Sequence, residues 1–512
     1  MTSAAHPLPS VEDTRLAVRR DTLAASVMFL MALSCVQPLI SFGRGLLFCR
    51  WLDPEQLGCW DMALSFLTLI APVVVLGIPG SFGRYVEHFA QRGQLATFLR
   101  RTGLACLVLG TAAVALVAWQ AGFFAGLIFG RQDLVSLVHL VAVCLASMVA
   151  FGFVIELLTA LRMFRVVSLL HFVKGVMFAL SGAGLLLVWT SAASILVSYT
   201  LACLLASALS LWWLLPTWKS LPAADSLAAD SLAGSAALSR RGLWAKLMPF
   251  AAWVWLTNLT ANLFEITDRY MIVHFSGMPN AEALLQVGYY HSSRLVPLLL
   301  ISFAGMLASL ILPHLARDWE AGRRQVVSSQ VILGLKLCSL FMAATATAVM
   351  LAGPWLFEVV LEGKYASGLA VMPWTLAYCV WFGLVSVAEM YLWCAERVRL
   401  GTAALAVGVV VNVVLNLLLL PSLGLLGAVL ATAASKLFVL TLIYTLSHLL
   451  GLPFDWRLWA LAFLPLLICL GPAFAAAALA VLGLAVIATP LVLTAAEKDL
   501  LATALTRCWK GG

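Results

Sequence analysis

Charge is scarce in this chain. Asp, Glu, Lys and Arg make up 11% of its 512 residues, apolar residues make up 63%, and the mean hydropathy is +1.02. A soluble core of that length cannot hide so much apolar surface, so the chain reads as an all-α polytopic membrane protein. Alternating strand-length patterns are missing, which argues against a β-barrel. Cys-x-x-Cys pairs and Cys/His ligand spacings are missing too, so the eleven cysteines read as small apolar helix residues rather than ligands or disulfides. There is no Walker loop, no Gly-x-Gly-x-x-Gly opening a soluble domain and no large extramembrane domain. Those absences argue against ATP-driven transport within this one chain. The apolar run after the polar segment 1–21 is longer than a signal-peptide core and ends in charged residues. It is expected to stay as a first span.

What is present is a series of long apolar runs. A helix needs about 20 apolar residues to cross the hydrocarbon. Runs of that order cover 22–50, 57–83, 99–121, 133–158, 164–190, 193–215, 247–275, 286–314, 327–352, 367–393, 400–420, 425–448, 457–474 and 476–496. They predict about fourteen spans, the last two cut from one apolar block by Pro465 and Gly471-Pro472. With the N-terminus placed in the cytoplasm, the inside loops carry Arg84, Arg92, Arg100, Arg101, Arg162, Arg165, Lys219, Arg240, Arg241, Lys246, Arg317, Arg323, Arg324, Arg397, Arg399 and Arg457. The tail adds Lys498, Arg507 and Lys510, while the outside loops carry only Arg50, Arg131 and Lys364. This positive-inside bias accounts for the net charge of +8 without nucleic acid and predicts both termini in the cytoplasm.

The longest polar interruption is 216–246, which holds the low-complexity stretch Ala224-Asp225-Ser226-Leu227-Ala228-Ala229-Asp230-Ser231-Leu232. It reads as a flexible cytoplasmic linker. Its end, Arg240 to Lys246, is basic and amphipathic and is expected to lie on the anionic inner leaflet. The linker separates 22–215, with spans 1–6, from 247–450, with spans 7–12; spans 13–14 and the tail occupy 451–512. The halves share an order. Gly43-Arg44, a short loop and Leu57-Gly58-Cys59-Trp60 in the first are matched by Asp268-Arg269, a loop and Val287-Gly288-Tyr289-Tyr290 in the second. A charge at membrane depth is costly and faces protein or water. Two like-oriented halves, each with an arginine turned inward, predict a cavity between them that suits an anionic passenger.

The run from Gly43-Arg44 to Pro54-x-x-x-Gly58 resembles the opening signature of polysaccharide and oligosaccharide (O-antigen-type) flippases of the MOP exporter superfamily. Asp268-Arg269 with Val287-Gly288-Tyr289-Tyr290 is similar to its counterpart opening the second lobe, and Pro313 fits the next span. Asn412-Val413-Val414-Leu415-Asn416-Leu417, ahead of Gly424-Leu425-Leu426-Gly427-Ala428, is similar to the superfamily's asparagine-then-Gly-x-x-Gly-Ala pattern. The resemblance covers almost the whole chain in span number and spacing, and it is more specific for the superfamily than for the polysaccharide branch. It implies a V-shaped bundle of two six-helix lobes with two further C-terminal helices, no enzymatic activity and no cofactor. It implies alternating-access movement of a polyprenyl-diphosphate-linked oligosaccharide from the cytoplasmic to the outer leaflet of a bacterial inner membrane. H⁺ or Na⁺ coupling is implied as the drive, and a polysaccharide polymerase or glycosyltransferase as the partner class.

Arginine suits a diphosphate because its planar fork pairs with phosphate oxygens in bidentate fashion. Arg44, Arg269 and Arg294 are therefore the candidates, with Lys174 and Lys436 as point charges deep in apolar stretches. Snorkelling to the headgroups is the alternative for Arg44 and Arg269 and the expectation for Lys336. The acids at membrane depth are Asp61, Glu156, Glu265, Asp268 and Glu389. Glu265, four residues before Arg269, is placed to pair with it on one helix face. Such acids serve structure, or take H⁺ or Na⁺ during a transport cycle. Glu156 and Glu389 hold analogous positions and read first as symmetric structural acids. His139, His171 and His291 are isolated and read as hydrogen-bonded packing residues. The eighteen tryptophans read as lipid-facing or interfacial. Three rival functions stand beside the flippase. A membrane glycosyltransferase or polymerase would show a long outside loop, whereas the stretches around 123–133, 278–286 and 353–367 are modest. A multidrug or cation exporter of the same superfamily is opposed by the inward arginines. The third is a non-transporting component of a polysaccharide-synthesis complex.

Overall fold

The computed structural model describes residues 23–92, 94–219 and 240–499. The segment 1–21, the low-complexity part of the linker and the basic tail beyond 499 lie outside the described residues. Among the described residues there is no strand. The helices are α1 (Leu23–Trp51), α2 (Pro54–Val74), α3 (Phe82–Ala90), α4 (Leu95–Trp119), α5 (Ala121–Phe129), α6 (Val135–Ala160), α7 (Phe164–Val188) and α8 (Ala192–Lys219). They continue as α9 (Arg240–Phe275), α10 (Asn280–Arg294), α11 (Pro297–Glu320), α12 (Arg324–Trp355), α13 (Ala366–Cys394), α14 (Val398–Leu423) and α15 (Leu425–Leu449). The chain then forms α16 (Trp456–Ala462), α17 (Pro465–Cys469) and α18 (Pro472–Ala488).

Ten of these elements are both long and apolar enough to cross a membrane. α4, at 25 residues, is about 37 Å long at 1.5 Å per residue, more than the ~30 Å of hydrocarbon. Exposed tryptophans mark two rims. Trp119, Trp189 and Trp355 cap one end of their helices, and Trp212, Trp393 and Trp456 sit at the other. Such belts are where indole rings settle between apolar and wet surroundings.

Helix breakers explain where the elements depart from the expected spans. The run 57–83 is cut at Val74, and Leu76 and Gly77 take positive φ in the turn before Pro79. Its remainder folds back as α3, which buries Phe82, Tyr85, Val86 and Phe89 on one face. The run 286–314 is two helices that break between Arg294 and Pro297, because proline has no N–H to donate and its ring crowds the preceding turn, although Val296 itself keeps helical dihedrals. The run 457–474 is broken again at Pro465, and neither Trp456–Cys469 nor Pro472–Ala488 reaches full crossing length. The basic stretch Arg240–Lys246 is the start of α9: Leu243 and Leu247 are buried in the cluster that holds α3, while Arg241 and Lys246 are exposed. Nothing in that stretch stops a helix, and Leu, Ala, Arg and Lys all favour one.

Packing divides the helices into two groups. α1 lies on α7, while α4, α6, α7 and α8 pack on one another; α9, α11, α12, α13, α14 and α15 form a second set. The groups meet chiefly where α2 crosses α9 and α10, and where α1 touches α11. The hairpin α16–α18 rests on α12 and α13. Lys336 on α12 fixes it there, 2.6 Å from Asp455 Oδ2 and 2.9 Å from Glu497 Oε1. The expectation that Lys336 snorkels is therefore corrected: it is fully buried, and the two carboxylates offset a desolvation that would otherwise drive the ammonium to the surface.

Candidate functional site

The α2–α10 crossing rests on two glycines. A Cβ on Gly58 would overlap the carbonyl oxygen of Leu284, and a Cβ on Gly288 would overlap that of Pro54. Each clash partner lies four residues before the opposite glycine. The two helices are thus related by a local two-fold at the positions that the internal repeat matches. One turn further along, three residues past each glycine, stand Asp61 and His291. Asp61 Oδ1 lies 2.9 Å from His291 Nδ1, and Asp61 Oδ2 lies 2.7 Å from Arg269 Nε on α9. Arg269 Nη1 also donates to Ser65 Oγ at 3.0 Å and to the Glu265 carbonyl at 3.2 Å. Asp61 and Arg269 are both buried.

The seam continues to both ends. Near Pro54, Tyr365 Oη donates to the Leu52 carbonyl at 3.0 Å, Lys364 Nζ to the Arg50 carbonyl at 2.9 Å, and Asn280 Nδ2 to the Gly130 carbonyl. Arg131 holds Glu55 and Asp133, each at 2.6 Å. At the opposite end Tyr85 Oη donates to the Lys246 carbonyl at 3.0 Å, and Lys246 Nζ stands 2.8 Å from His88 Nε2.

Beside the seam lies a cavity of about 720 Å³ between α1, α2, α7 and α8 on one side and α10 and α11 on the other. Its polar lining is Gln37, Ser41, Arg44, His171, Lys174, Tyr199, His291 and Ser302, and no acidic residue lines it. The Arg44 guanidinium lies over the Phe178 ring at 4.3 Å, and Lys174 Nζ over Phe151 at 4.6 Å. Among the described residues neither cation has a carboxylate partner. Cation–π contacts at enclosed sites are worth about 2 kcal/mol, less than a charge-assisted bond to phosphate oxygens in bidentate geometry supplies, so both groups stay available to an anion.

Of the five expected cavity cations, the structure brings Arg44 and Lys174 together and places the other three elsewhere. Arg269 is held in the seam by Asp61. Arg294, buried at the break between α10 and α11, pairs with Glu265 Oε2 at 3.1 Å. Lys436 is buried with its Nζ 3.4 Å from the Phe264 ring centre and 4.3 Å from that of Phe382. The expected Glu265–Arg269 side-chain pair is likewise corrected: each side chain finds its partner across a helix boundary, since the buried Asp61 offers Arg269 a less hydrated carboxylate than the half-exposed Glu265 does. Glu156 and Glu389 are not alike. Glu156 is exposed, whereas Glu389 is half-buried near Gly401 with Oε1 lacking a hydrogen-bond donor. His171 and His291 line the cavity rather than serving packing alone; the signal was the spacing of His291 from Gly288, the same as that of Asp61 from Gly58.

A second polar cluster lies within α9, α14 and α15. Asp268, 1% exposed, accepts from Tyr290 Oη at 2.9 Å and from Asn412 and Asn416 Nδ2 at 3.1 and 3.2 Å. Asn412 also bonds Thr432 Oγ1 at 3.1 Å, and Asn416 Oδ1 is buried without a donor. Among the described residues no His, Cys, Asp and Glu group suited to a bound metal occurs.

Comparison with known proteins follows the geometry. The chain is 22% identical over 400 residues to the Lipid II flippase MurJ of Bacillus subtilis (strain 168), covering 74% of this chain and 73% of that protein. Its fold superposes on a Lipid II flippase MurJ in an inward closed conformation with a TM-score of 0.67, at 11% identity, covering 94% of this chain and all of the other. An inward-facing multidrug resistance MATE family transporter of the MOP superfamily superposes at 0.62, at 10% identity, covering 85% of this chain and 98% of that one. The two-lobed MOP-type architecture is therefore the fold of this chain, and the proteins it resembles are transporters and flippases rather than enzymes. A family described as Polysaccharide biosynthesis protein matches residues 23–319, more than half of the sequence, and the chain belongs to that family.

Proposed function

We propose that the chain is a membrane flippase for an anionic lipid-linked saccharide, carrying a polyprenyl-diphosphate oligosaccharide across a bacterial inner membrane by alternating access. The observation that carries this reading is the wall of the cavity: two cations without carboxylate partners, several hydroxyl and imidazole groups, and no acid. Arg44 and Lys174 would take the diphosphate, since charge-assisted bonds to phosphate are the strong ones. Gln37, Ser41 and Ser302 would meet sugar hydroxyls. Arg269 and Arg294 join the anion site only if their present carboxylate partners let go. The positive-inside bias puts the Pro54 end outside, so the glycine crossing would be the outer closure and α3 would lie at the cytoplasmic end. Asp268 is the candidate coupling acid. It is fully enclosed by amide and hydroxyl groups, and the orphan Asn416 Oδ1 adds an oxygen of the kind hard monovalent cations accept.

Binding of inorganic pyrophosphate to the purified protein, read as a shift in thermal unfolding, tests the cavity assignment. A stabilisation lost in Arg44→Ala/Lys174→Ala supports it. Stabilisation by cationic dyes, with none by pyrophosphate, would transfer the chain to the cation-exporter class.

A further inference from the structure

The seam contains a carboxylate in the place where an anionic passenger would be useful. Asp61 belongs to α2 in the first half, while the two basic side chains it holds, Arg269 and His291, belong to α9 and α10 in the second. One of its oxygens lies against each, Oδ2 at ion-pair distance from the guanidinium and Oδ1 beside the imidazole. His291 also lines the cavity, as do Trp60 and Leu64 on either side of Asp61. The group thus stands directly behind the cavity wall, which it meets through His291, one turn from the Gly58–Gly288 crossing, and it joins the halves next to their closest approach. Ser65 on the same helix receives Arg269 Nη1, so α2 presents a carboxylate and a hydroxyl in register to one guanidinium. No other acid on α2 lies in the seam's interior: Glu55 is at the end, turned to Arg131.

We propose that Asp61 is a resident counter-ion that latches the halves together, and that the anionic headgroup of the passenger replaces it on Arg269 and His291. The inference rests on the flippase reading for the identity of the passenger, but the latch itself requires only that the halves separate at the Pro54 end. Before exchange, Asp61 on α2 neutralises Arg269 and bonds His291, and the crossing stays shut. A phosphate or diphosphate entering beside Arg44 and Lys174 reaches His291 in the same wall, takes over Arg269 and His291 and leaves Asp61 free to leave with α2. The exchange gives Arg269 a new anionic partner as the old one leaves, so loading and release of the closure become one event. An empty cavity leaves the latch set.

The test reads the distance between the halves. Nitroxide labels at Gln132→Cys and Glu282→Cys, both exposed and on either side of the Gly130–Asn280 contact, report opening of that end by pulsed EPR. In otherwise wild-type protein a single short-distance population is expected, with a second, longer one appearing on addition of inorganic pyrophosphate. Asp61→Asn keeps the side-chain shape and removes the charge. Because coupling between close, desolvated charge pairs exceeds what a tenfold change needs, it should raise the open-to-closed ratio by at least about tenfold without any anion. Equal distributions in wild type and Asp61→Asn would overturn the latch, as would wild type that binds pyrophosphate yet never opens. Should Asp61→Asn fail to reach the membrane, the pyrophosphate titration of the labelled protein decides alone. Loss of the latch with intact transfer of lipid-linked sugar would leave the flippase reading standing; an intact latch with no such transfer would fault the passenger instead.

Discussion

Replacing Gly58 by alanine adds one methyl group at the tightest point between the two halves. That methyl would overlap the Leu284 carbonyl oxygen and lie 2.8 Å from its carbon and 3.2 Å from the Gly288 nitrogen. Ordinary contact begins at 3.4 Å, so clearing the carbon alone requires a movement of more than about 0.6 Å, and the oxygen requires more. The obstructing atoms are backbone in the middle of α10, so no rotamer change relieves them. Overpacking at a site that cannot yield costs about 3 kcal/mol, which lowers the population of the closed crossing by roughly a hundredfold. The same labels at Gln132 and Glu282 read that shift, and Gly288→Ala, which meets the Pro54 carbonyl, should reproduce it. Gly122→Ala is the control, because nothing lies within 4 Å of its Cβ position. The reasoning predicts a loss of the short-distance population in the first two variants, with membrane insertion retained. It is refuted if Gly58→Ala closes like wild type.

Further perturbations bear on the rest of the molecule. Lys336→Met leaves Asp455 and Glu497 buried without their cation; it should cost about 3–5 kcal/mol, seen as a lowered melting temperature and tryptic release of the chain beyond Leu452. Burial, then Lys246 and Arg92, pushes the His88 imidazole below its usual range, so it is neutral beside Lys246. A group whose pKa falls on folding contributes stability above its unfolded value of about 6.5 and loses it as pH falls through the lower folded value. Hydrogen exchange of residues 82–90, corrected for intrinsic rate, should therefore rise on acidification in wild type and not in His88→Gln. Asp268→Asn should abolish dependence of transport on an imposed Na⁺ or proton gradient while pyrophosphate still binds; retained dependence would remove Asp268 as the coupling acid.

The span pattern was legible because crossing a bilayer demands long apolar runs, and fourteen such runs fall close to the observed helices. Their internal breaks were less so. Pro297, Pro465 and Pro79 were visible in the sequence, but whether a proline kinks a helix or ends it depends on what packs beside it. The repeat showed that Gly58 and Gly288 correspond; it did not show that they touch. Arg44 and Lys174 were found as charges in apolar stretches, and the structure gathers them in one cavity. The same criterion selected Arg269, Arg294 and Lys436, which stand outside the cavity: Asp61 on α2 holds Arg269, Glu265 on α9 holds Arg294, and Lys436 is buried beside two phenylalanine rings. Helical spacing alone offered Glu265 to Arg269, since it ranks neighbours on one helix and carries nothing about desolvation by another. Lys336 misled for the same reason, its two acids being more than a hundred residues distant in sequence.

The most direct test is leaflet transfer of a fluorescent short-chain polyprenyl-diphosphate sugar in proteoliposomes, comparing wild type with folded Arg44→Ala/Lys174→Ala. Transfer by wild type and its loss in the double variant are predicted. Equal transfer by the two proteins would contradict the assignment of the cavity cations to the diphosphate.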